Sequence, residues 1–170
     1  MAEAARLFGD LTQVRMVLPT AGLAELANTL LGSSDALRVQ VGGLPESLAC
    51  ADIAVAATGT VTLECAYFGV PTVAMYKTSW STYQIGKRLI TVKYLSMPNL
   101  LANEAVFPEF IQGQATARAI AETVGDLLRS PEKQAAIKNK LQEVVRQLGE
   151  PGAAQRAAGA ILSVLNTGAL

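Results

Sequence analysis

The sequence contains no histidine, only two cysteines and no excess of charge of either sign. Each of these features excludes a class of function. Without histidine, the chain cannot build a Ser-His-Asp triad or use a histidine general base. Cys50 and Cys65 lack the spacing of metal ligands, so we expect reduced, buried thiols and no metal site. The 14 basic and 14 acidic residues balance, which leaves no overall field to attract nucleic acid.

Long apolar runs are also missing, although the chain as a whole is apolar. No run reaches the ~18 residues of a membrane span, and the N-terminus has no secretory signal pattern. Hydrophobic residues make up 51% of the 170 residues and charged residues 16%, so much of the apolar content must be packed inside. We therefore expect a cytoplasmic protein with one substantial core.

A regular alternation of apolar strands and helices is present instead. Strands are predicted at residues 14–18, 37–41, 53–56, 71–75 and 92–95. Helices are predicted at residues 1–8, 21–31, 45–50, 61–69 and 79–90. This order indicates an α/β fold with a Rossmann-like parallel sheet flanked by helices on both faces, in which ligands bind at the carboxyl ends of the strands.

The remainder of the chain divides into an irregular segment and a helical tail. Residues 96–114 read as a loop, which is either a plain surface connection or a carrier of binding groups. Helices are predicted at residues 115–129, 131–148 and 153–165, and we interpret the charge on the middle one as a solvated face. The predicted division is residues 1–114 for the sheet domain and 115–170 for helices that pack on it.

The turn Thr58-Gly59-Thr60 lies where the central strand passes into a helix. Glycine between hydroxyl residues lets a ligand approach the backbone, and free N–H groups at a helix start suit a phosphate. Glu64, one turn further, can accept hydrogen bonds from the vicinal hydroxyls of a ribose. The alternative is an ordinary helix start, with Thr60 as the N-cap and Glu64 as a carboxylate that favours the helix dipole.

Several motifs together resemble the C-terminal half of lipid-A-disaccharide synthase over nearly the whole chain. The Gly-Thr-x-Thr-Leu-Glu turn and a Gly-Val-Pro motif are shared with many glycosyltransferases built from two Rossmann domains (GT-B fold). A Lys-Arg helix and the Pro-Asn-Leu-Leu-Ala loop narrow the resemblance to this family. The matching stretches are 51–52, 58–64, 69–73, 82–83, 87–89 and 96–102.

The resemblance implies a metal-independent, inverting glycosyltransferase that needs no cofactor. Its donor would be UDP-2,3-diacylglucosamine and its acceptor the glycolipid 2,3-diacylglucosamine 1-phosphate. The C-terminal domain would hold the donor, while the acceptor and the general base would lie largely in an N-terminal domain. The site residues that the resemblance implies are Thr58, Gly59 and Thr60 for the diphosphate, Glu64 for the ribose, Asn99 for the nucleotide or sugar, and Glu109 and Gln112 for the sugar hydroxyls.

The resemblance also implies that part of the enzyme is absent from this chain. A Gly-Ser-Arg segment with a phosphate-binding arginine would lie upstream of Met1, so we expect no turnover by the chain alone. The last helix is expected to reach a missing N-terminal domain or a second copy. Asn103-Glu104 stands where the family tends to have glycine followed by a basic or polar residue. The Glu104 carboxylate should therefore repel a diphosphate or point away from it.

The basic residues Lys87, Arg88 and Lys93 leave two interpretations open. They can contact an anionic glycolipid or the inner-membrane surface, which would add a peripheral membrane association to the cytoplasmic localisation. They can equally be ordinary cations at a helix end. Two other functions also stay open, namely another UDP-sugar enzyme on the same scaffold and a non-catalytic nucleotide-binding module.

Overall fold

The fold was analysed in a computed structural model, which describes residues 2–8, 13–32, 37–79, 81–84, 92–150 and 152–166. The five described strands are β1 Arg15–Leu18, β2 Arg38–Val41, β3 Ala54–Ala57, β4 Thr72–Tyr76 and β5 Glu109–Ile111. The helices around the strands are α1 Ala2–Arg6, α2 Ala21–Leu31, α3 Leu44–Ala49, α4 Thr60–Tyr67 and α5 Met97–Ala102, and residues 81–84 are also helical. A 3-10 turn, Gln112–Gln114, precedes the C-terminal helices α6 Ala117–Leu128, α7 Pro131–Gln147 and α8 Ala153–Asn166.

All described strand pairs are parallel, which confirms the predicted α/β, Rossmann-like class. One sheet pairs β1 with β2, and Arg15 lies opposite Arg38. The other has the order β3-β4-β5, with Ala54 opposite Thr72 and Ala74 opposite Glu109. Because parallel strands need crossover connections, the intervening helices must lie on the faces of the sheets.

Adjacent residues of β4 show that both faces are covered. Val73 and Ala74 are each 0% exposed, and successive side chains of a strand point to opposite faces. Val73 belongs to a cluster that contains Ala4 of α1 and Ile120 of α6. Ala74 belongs to a second cluster on the opposite face of the sheet. The helices that contribute to it are α3, α4 and α7, through Leu48, Cys65 and Ala66, and Leu141, respectively. Helices α6 and α7 are therefore part of the core that covers the sheet.

The predicted position of the fifth strand is wrong. Residues 92–95 are irregular, and the strand that pairs with β4 is β5, inside the segment predicted as a loop. β5 is three residues long, follows Pro108 and begins with the polar Glu109, so it shows neither an apolar run nor alternation. Helix α5 also lies in that segment, with a proline at its start.

The expectation that both cysteines are buried holds for only one of them. Cys65 is buried in α4, whereas Cys50 is exposed. Cys50 occupies the C-cap position that follows α3, where the chain turns towards the surface. Its apolar sequence context therefore reflected neighbours such as Leu48, which is buried, rather than the position of the thiol itself.

The last helix differs from α6 and α7 because it contributes nothing to the core. From Ala153 to Leu165 every residue of α8 is exposed. Ile161, Leu162 and Leu165 expose 62%, 58% and 58% of their surface. No helix in the described part of the chain combines the length and the apolar character needed to cross a bilayer.

Candidate functional site

The turn between β3 and α4 has a backbone conformation that requires glycine. Gly59 has φ 132° and ψ −161°, a region that side-chain-bearing residues avoid. Apart from Gly59 itself and its two chain neighbours, no heavy atom of the described residues lies within 4 Å of the position that a Cβ would occupy there. The glycine is therefore needed for the path of the chain, and the space in front of the turn is open.

The alternative of an ordinary helix start does not describe this turn. The N-cap of α4 is Gly59, so no side chain caps the helix, and Thr60 is already its first residue. Glu64 lies beyond the first turn, where the influence of the helix dipole has fallen off. Neither residue therefore has the structural role that this alternative gave it.

Three predicted ligand-binding side chains are left available at this turn. Within the described part of the protein, the side chains of Thr58, Thr60 and Glu64 make no hydrogen bond or ion pair. Thr60 and Glu64 are exposed, and Thr58 is partly exposed. Two hydroxyl groups, one carboxylate and the first N–H groups of an eight-residue helix thus remain free for a ligand.

Thr62 holds the turn in place and was not singled out from the sequence. Its Oγ1 donates a 2.6 Å hydrogen bond to the carbonyl of Gly59, and the residue is 0% exposed. The same oxygen accepts a 3.2 Å hydrogen bond from the backbone N–H of Met97, the first residue of α5. A threonine hydroxyl can donate to the backbone carbonyl three residues before it, so the spacing of Gly59 and Thr62 could have predicted the first of these two hydrogen bonds.

Asn99 uses its side chain inside the protein. The residue is 0% exposed, and its Oδ1 accepts hydrogen bonds from the N–H groups of Val106 and Phe107 at 2.9 and 2.7 Å. Its Nδ2 donates to the carbonyl of Phe107 and to Glu109 Oε1, both at 2.8 Å. This geometry weighs against the direct ligand contact that was predicted for Asn99.

Glu109 and Gln112 are likewise bonded to the protein. Glu109 accepts from the N–H groups of Leu95 and Ser96, both at 2.9 Å, and from the Ser96 hydroxyl at 2.6 Å. Gln112 bonds to both backbone groups of Thr78, at 2.8 Å for the N–H and 3.0 Å for the carbonyl. Glu109 therefore fastens the residues that precede α5 to β5, and Gln112 fastens the residues that follow β4 to the 3-10 turn.

The charged residues near α5 include one ion pair and one exposed lysine. Glu104 forms a 2.7 Å ion pair with Lys140 of α7, which offsets the negative charge that was expected to repel a diphosphate. Lys93 is exposed, with its Nζ 5.1 Å from the ring centre of Tyr94. Lys87 and Arg88 lie outside the described residues, so the basic cluster stays a prediction. The described residues contain no group of three or more His, Cys, Asp or Glu side chains suited to a metal ion.

The comparison with solved structures defines the class of fold. A chain in the crystal structure of the GtfA/B complex superposes with a TM-score of 0.51 at 12% sequence identity. The match covers 86% of this chain and 29% of that chain. This chain thus has the Rossmann-like fold of a GT-B C-terminal domain, a parallel sheet flanked by helices.

Sequence comparisons place the chain within one family of that class. The lipid-A-disaccharide synthetase family matches residues 34–164, and the chain belongs to it. A lipid-A-disaccharide synthase of Syntrophus aciditrophicus is 36% identical over 175 residues, covering 97% of this chain and 44% of the relative. That of Trichlorobacter lovleyi is 37% identical over 167 residues, covering 96% and 44%. The chain thus spans less than half the length of these relatives, and corresponds to their C-terminal half.

Proposed function

We propose that this chain is the donor-binding half of a lipid-A-disaccharide synthase. The complete enzyme would transfer 2,3-diacylglucosamine from UDP to 2,3-diacylglucosamine 1-phosphate, with inversion and without a metal. The observation that carries the proposal is the turn Thr58-Gly59-Thr60 at the carboxyl end of β3, in a member of this family. Its threonine side chains bond to none of the residues that the structure describes.

The free groups match the two polar parts of a nucleoside diphosphate. The diphosphate would lie against the backbone N–H groups at the start of α4, where the helix dipole contributes about 0.3–1 kcal/mol. The hydroxyls of Thr58 and Thr60 can donate to phosphate oxygens. The Glu64 carboxylate would accept hydrogen bonds from the ribose hydroxyls, each worth about 1.5–3 kcal/mol because the acceptor is charged.

A different role follows for the other three residues that the resemblance implied. We assign Asn99, Glu109 and Gln112 to positioning, because their polar atoms are bonded to the protein. Asn99 and Glu109 hold α5, and Gln112 holds Thr78 after β4. The first N–H of α5 donates to Thr62, which in turn donates to the carbonyl of Gly59. Through these contacts the segment that contains α5 would fix the shape of the phosphate turn without itself contacting the donor.

Calorimetric titration of UDP into the chain tests the donor site. We expect saturable binding that Glu64→Ala weakens by about 1.5–3 kcal/mol, which is roughly 10- to 150-fold in Kd. Glu25→Ala is the matched control, because it removes an equally exposed carboxylate from α2 and should leave UDP affinity unchanged. Equal UDP affinity in the Glu64→Ala variant and the parent chain would refute the ribose contact.

The acceptor and the general base would lie in the N-terminal half of the enzyme. We therefore expect no disaccharide synthesis when the 170-residue chain is mixed with UDP-2,3-diacylglucosamine and the acceptor. Adding the N-terminal half of a relative, in trans or by fusion, should restore synthesis. Turnover by the chain alone would contradict this division of roles.

A further inference from the structure

A groove lies between the C-terminal helices α6 and α7 and the residues that precede β5. Its volume is about 440 Å³, which falls within the range of small-molecule sites, ~300–1,000 Å³. Pro108 lines the groove and directly precedes β5, whereas the turn Thr58-Gly59-Thr60 follows β3. Because β3, β4 and β5 are parallel, the groove and the turn lie at opposite ends of these strands. The proposed UDP site therefore does not include this groove.

The lining of the groove is apolar along most of its length. Val106 and Leu127 are 3% and 5% exposed, so they close the groove on the side of the core. Ile137 packs against both core clusters, and the neighbouring Ala136 is exposed at the mouth of the groove. Thr123 also lines the groove, but its hydroxyl donates to a carbonyl of its own helix at 2.9 Å. The apolar part of a ligand would therefore displace water along this lining.

The charges along the groove leave one cation without a partner. Lys140 forms an ion pair with Glu104 at 2.7 Å, and Asp126 forms one with Arg129 at 2.8 Å. Lys133 lines the groove as well, and its ammonium group makes no ion pair or hydrogen bond with the residues that the structure describes. The groove thus combines an apolar length with a free positive charge at one end.

The groove suits one extended chain, and its sides are held together without a ligand. Lys133 and Lys140 are seven residues apart on α7, which is about 10 Å along the helix axis. An alkyl chain of about eight carbons spans this length, at roughly 1.2 Å per bond. Gln134 Nε2 donates a 2.9 Å hydrogen bond to the Leu127 carbonyl, and the pair Lys140–Glu104 ties α7 to the residues before β5. Little ordering is therefore required when a ligand binds.

We propose that this groove binds a soluble alkyl carboxylate of about eight carbons. Its carboxylate would lie at Lys133, and its chain would run along Leu127, Val106 and Ile137 towards Lys140. The carboxylate supplies the negative charge that Lys133 lacks, while the chain covers the apolar lining. A cation of the same length would meet Lys133 as a like charge. This inference is independent of the proposed donor site.

Titration of octanoate into the ¹⁵N-labelled chain, followed by NMR at pH 7 and below the micelle concentration, tests the site. We expect saturable shifts of the amides of Val106, Leu127 and Ile137, and none of Gly59. Hexanoate should bind about four- to fifteenfold more weakly, because it buries two fewer methylene groups. Octyltrimethylammonium, which has the same chain and the opposite charge, should bind about tenfold more weakly than octanoate.

Two adjacent alanines of α7 provide a matched pair of variants. Ala136 lines the groove and Ala135 does not, and both are exposed, so phenylalanine is tolerated by the fold at either position. Ala136→Phe fills the groove and should weaken octanoate binding by about tenfold or more. Ala135→Phe should leave the affinity unchanged. Equal affinities in the two variants would show that octanoate binds elsewhere, which would overturn the proposal.

Two lysines of α7 provide the second pair. Lys133→Ala should weaken octanoate binding by about two- to fivefold, the range for an exposed ion pair, and should reduce the preference over octyltrimethylammonium. Lys138→Ala removes an exposed lysine that does not line the groove, and should change neither quantity. An unchanged preference in the Lys133→Ala variant would refute the contact with the carboxylate.

Two further results would overturn the proposal as a whole. Octanoate can fail to produce saturable shifts at Val106, Leu127 and Ile137 in the parent chain, which would mean that the groove takes no alkyl carboxylate. The same amides can respond to vesicles of phosphatidylglycerol and not to octanoate. That outcome would mean that the groove docks on a bilayer surface instead of binding a soluble amphiphile.

Discussion

The side-chain amide of Asn99 donates a 2.8 Å hydrogen bond to the carboxylate of Glu109, and this pair connects both ends of the segment that contains α5. Asn99 also bonds to the backbone of Phe107, just before β5, and Glu109 to that of Leu95 and Ser96, just before α5. Side-chain hydrogen bonds thus tie the segment that contains α5 to the start of β5.

Replacing Asn99 should reduce stability more than replacing a surface amide. Asn99→Ala leaves the N–H group of Phe107 buried without a partner and removes one of the two acceptors of Val106 N–H, so we expect the free energy of unfolding to fall by about 2–4 kcal/mol. Urea denaturation measures this change. Gln142→Ala, on the exposed side of α7, is the control and should stay within about 0.5 kcal/mol of the parent. Unchanged stability with lost UDP binding would instead favour direct contact of Asn99 with the ligand.

Removing the hydroxyl of Thr62 should loosen the turn. Thr62→Val keeps the shape of the side chain but leaves Met97 N–H and the Gly59 carbonyl without this partner. We expect a loss of about 1–3 kcal/mol in unfolding free energy, together with weaker UDP binding. Thr62→Ser retains the hydroxyl and should recover most of both quantities. Equal UDP affinity in the valine and serine variants would show that the turn does not depend on this bond.

Substituting Gly59 separates backbone strain from steric hindrance. Gly59→Ala introduces no contact within 4 Å, so its cost should come from φ 132° alone, about 1–3 kcal/mol of unfolding free energy. Gly22→Ala is the matched control, since Gly22 is exposed in α2 and has equal room for a Cβ, and alanine should stabilise the helix there by up to about 1 kcal/mol. Thermal or urea denaturation compares the two. A neutral Gly59→Ala would contradict the assigned backbone conformation.

The sequence predicted the elements that have strong periodicity, and missed those formed by long-range contacts. Helix α2 has the predicted bounds because Thr20 caps it and Gly32 ends it, and both signals are local. β5 was not predicted because three residues acquire their strand conformation only from pairing with β4. The exposed turn was recognised from Gly59 itself. The internal bonds of Asn99 and Glu109 involve partners up to 14 residues away, which no local pattern specifies.

The two thiols should differ strongly in reactivity, and the raised pKa of Cys65 should link stability to pH. Burial raises the pKa of Cys65, and a hydrogen bond with Thr72 opposes this only in part. The thiolate is the reactive form, so a disulfide reagent at about pH 8 should modify exposed Cys50 rapidly and Cys65 only as the protein opens. Cys50→Ser should abolish the fast phase.

Because folded Cys65 retains its proton to higher pH than the unfolded chain does, its stabilising contribution is complete below about pH 8.5 and declines as the pH rises through the raised pKa. Cys65→Ala should remove that decline, and a fast second thiol in the Cys50→Ser variant would contradict the burial of Cys65.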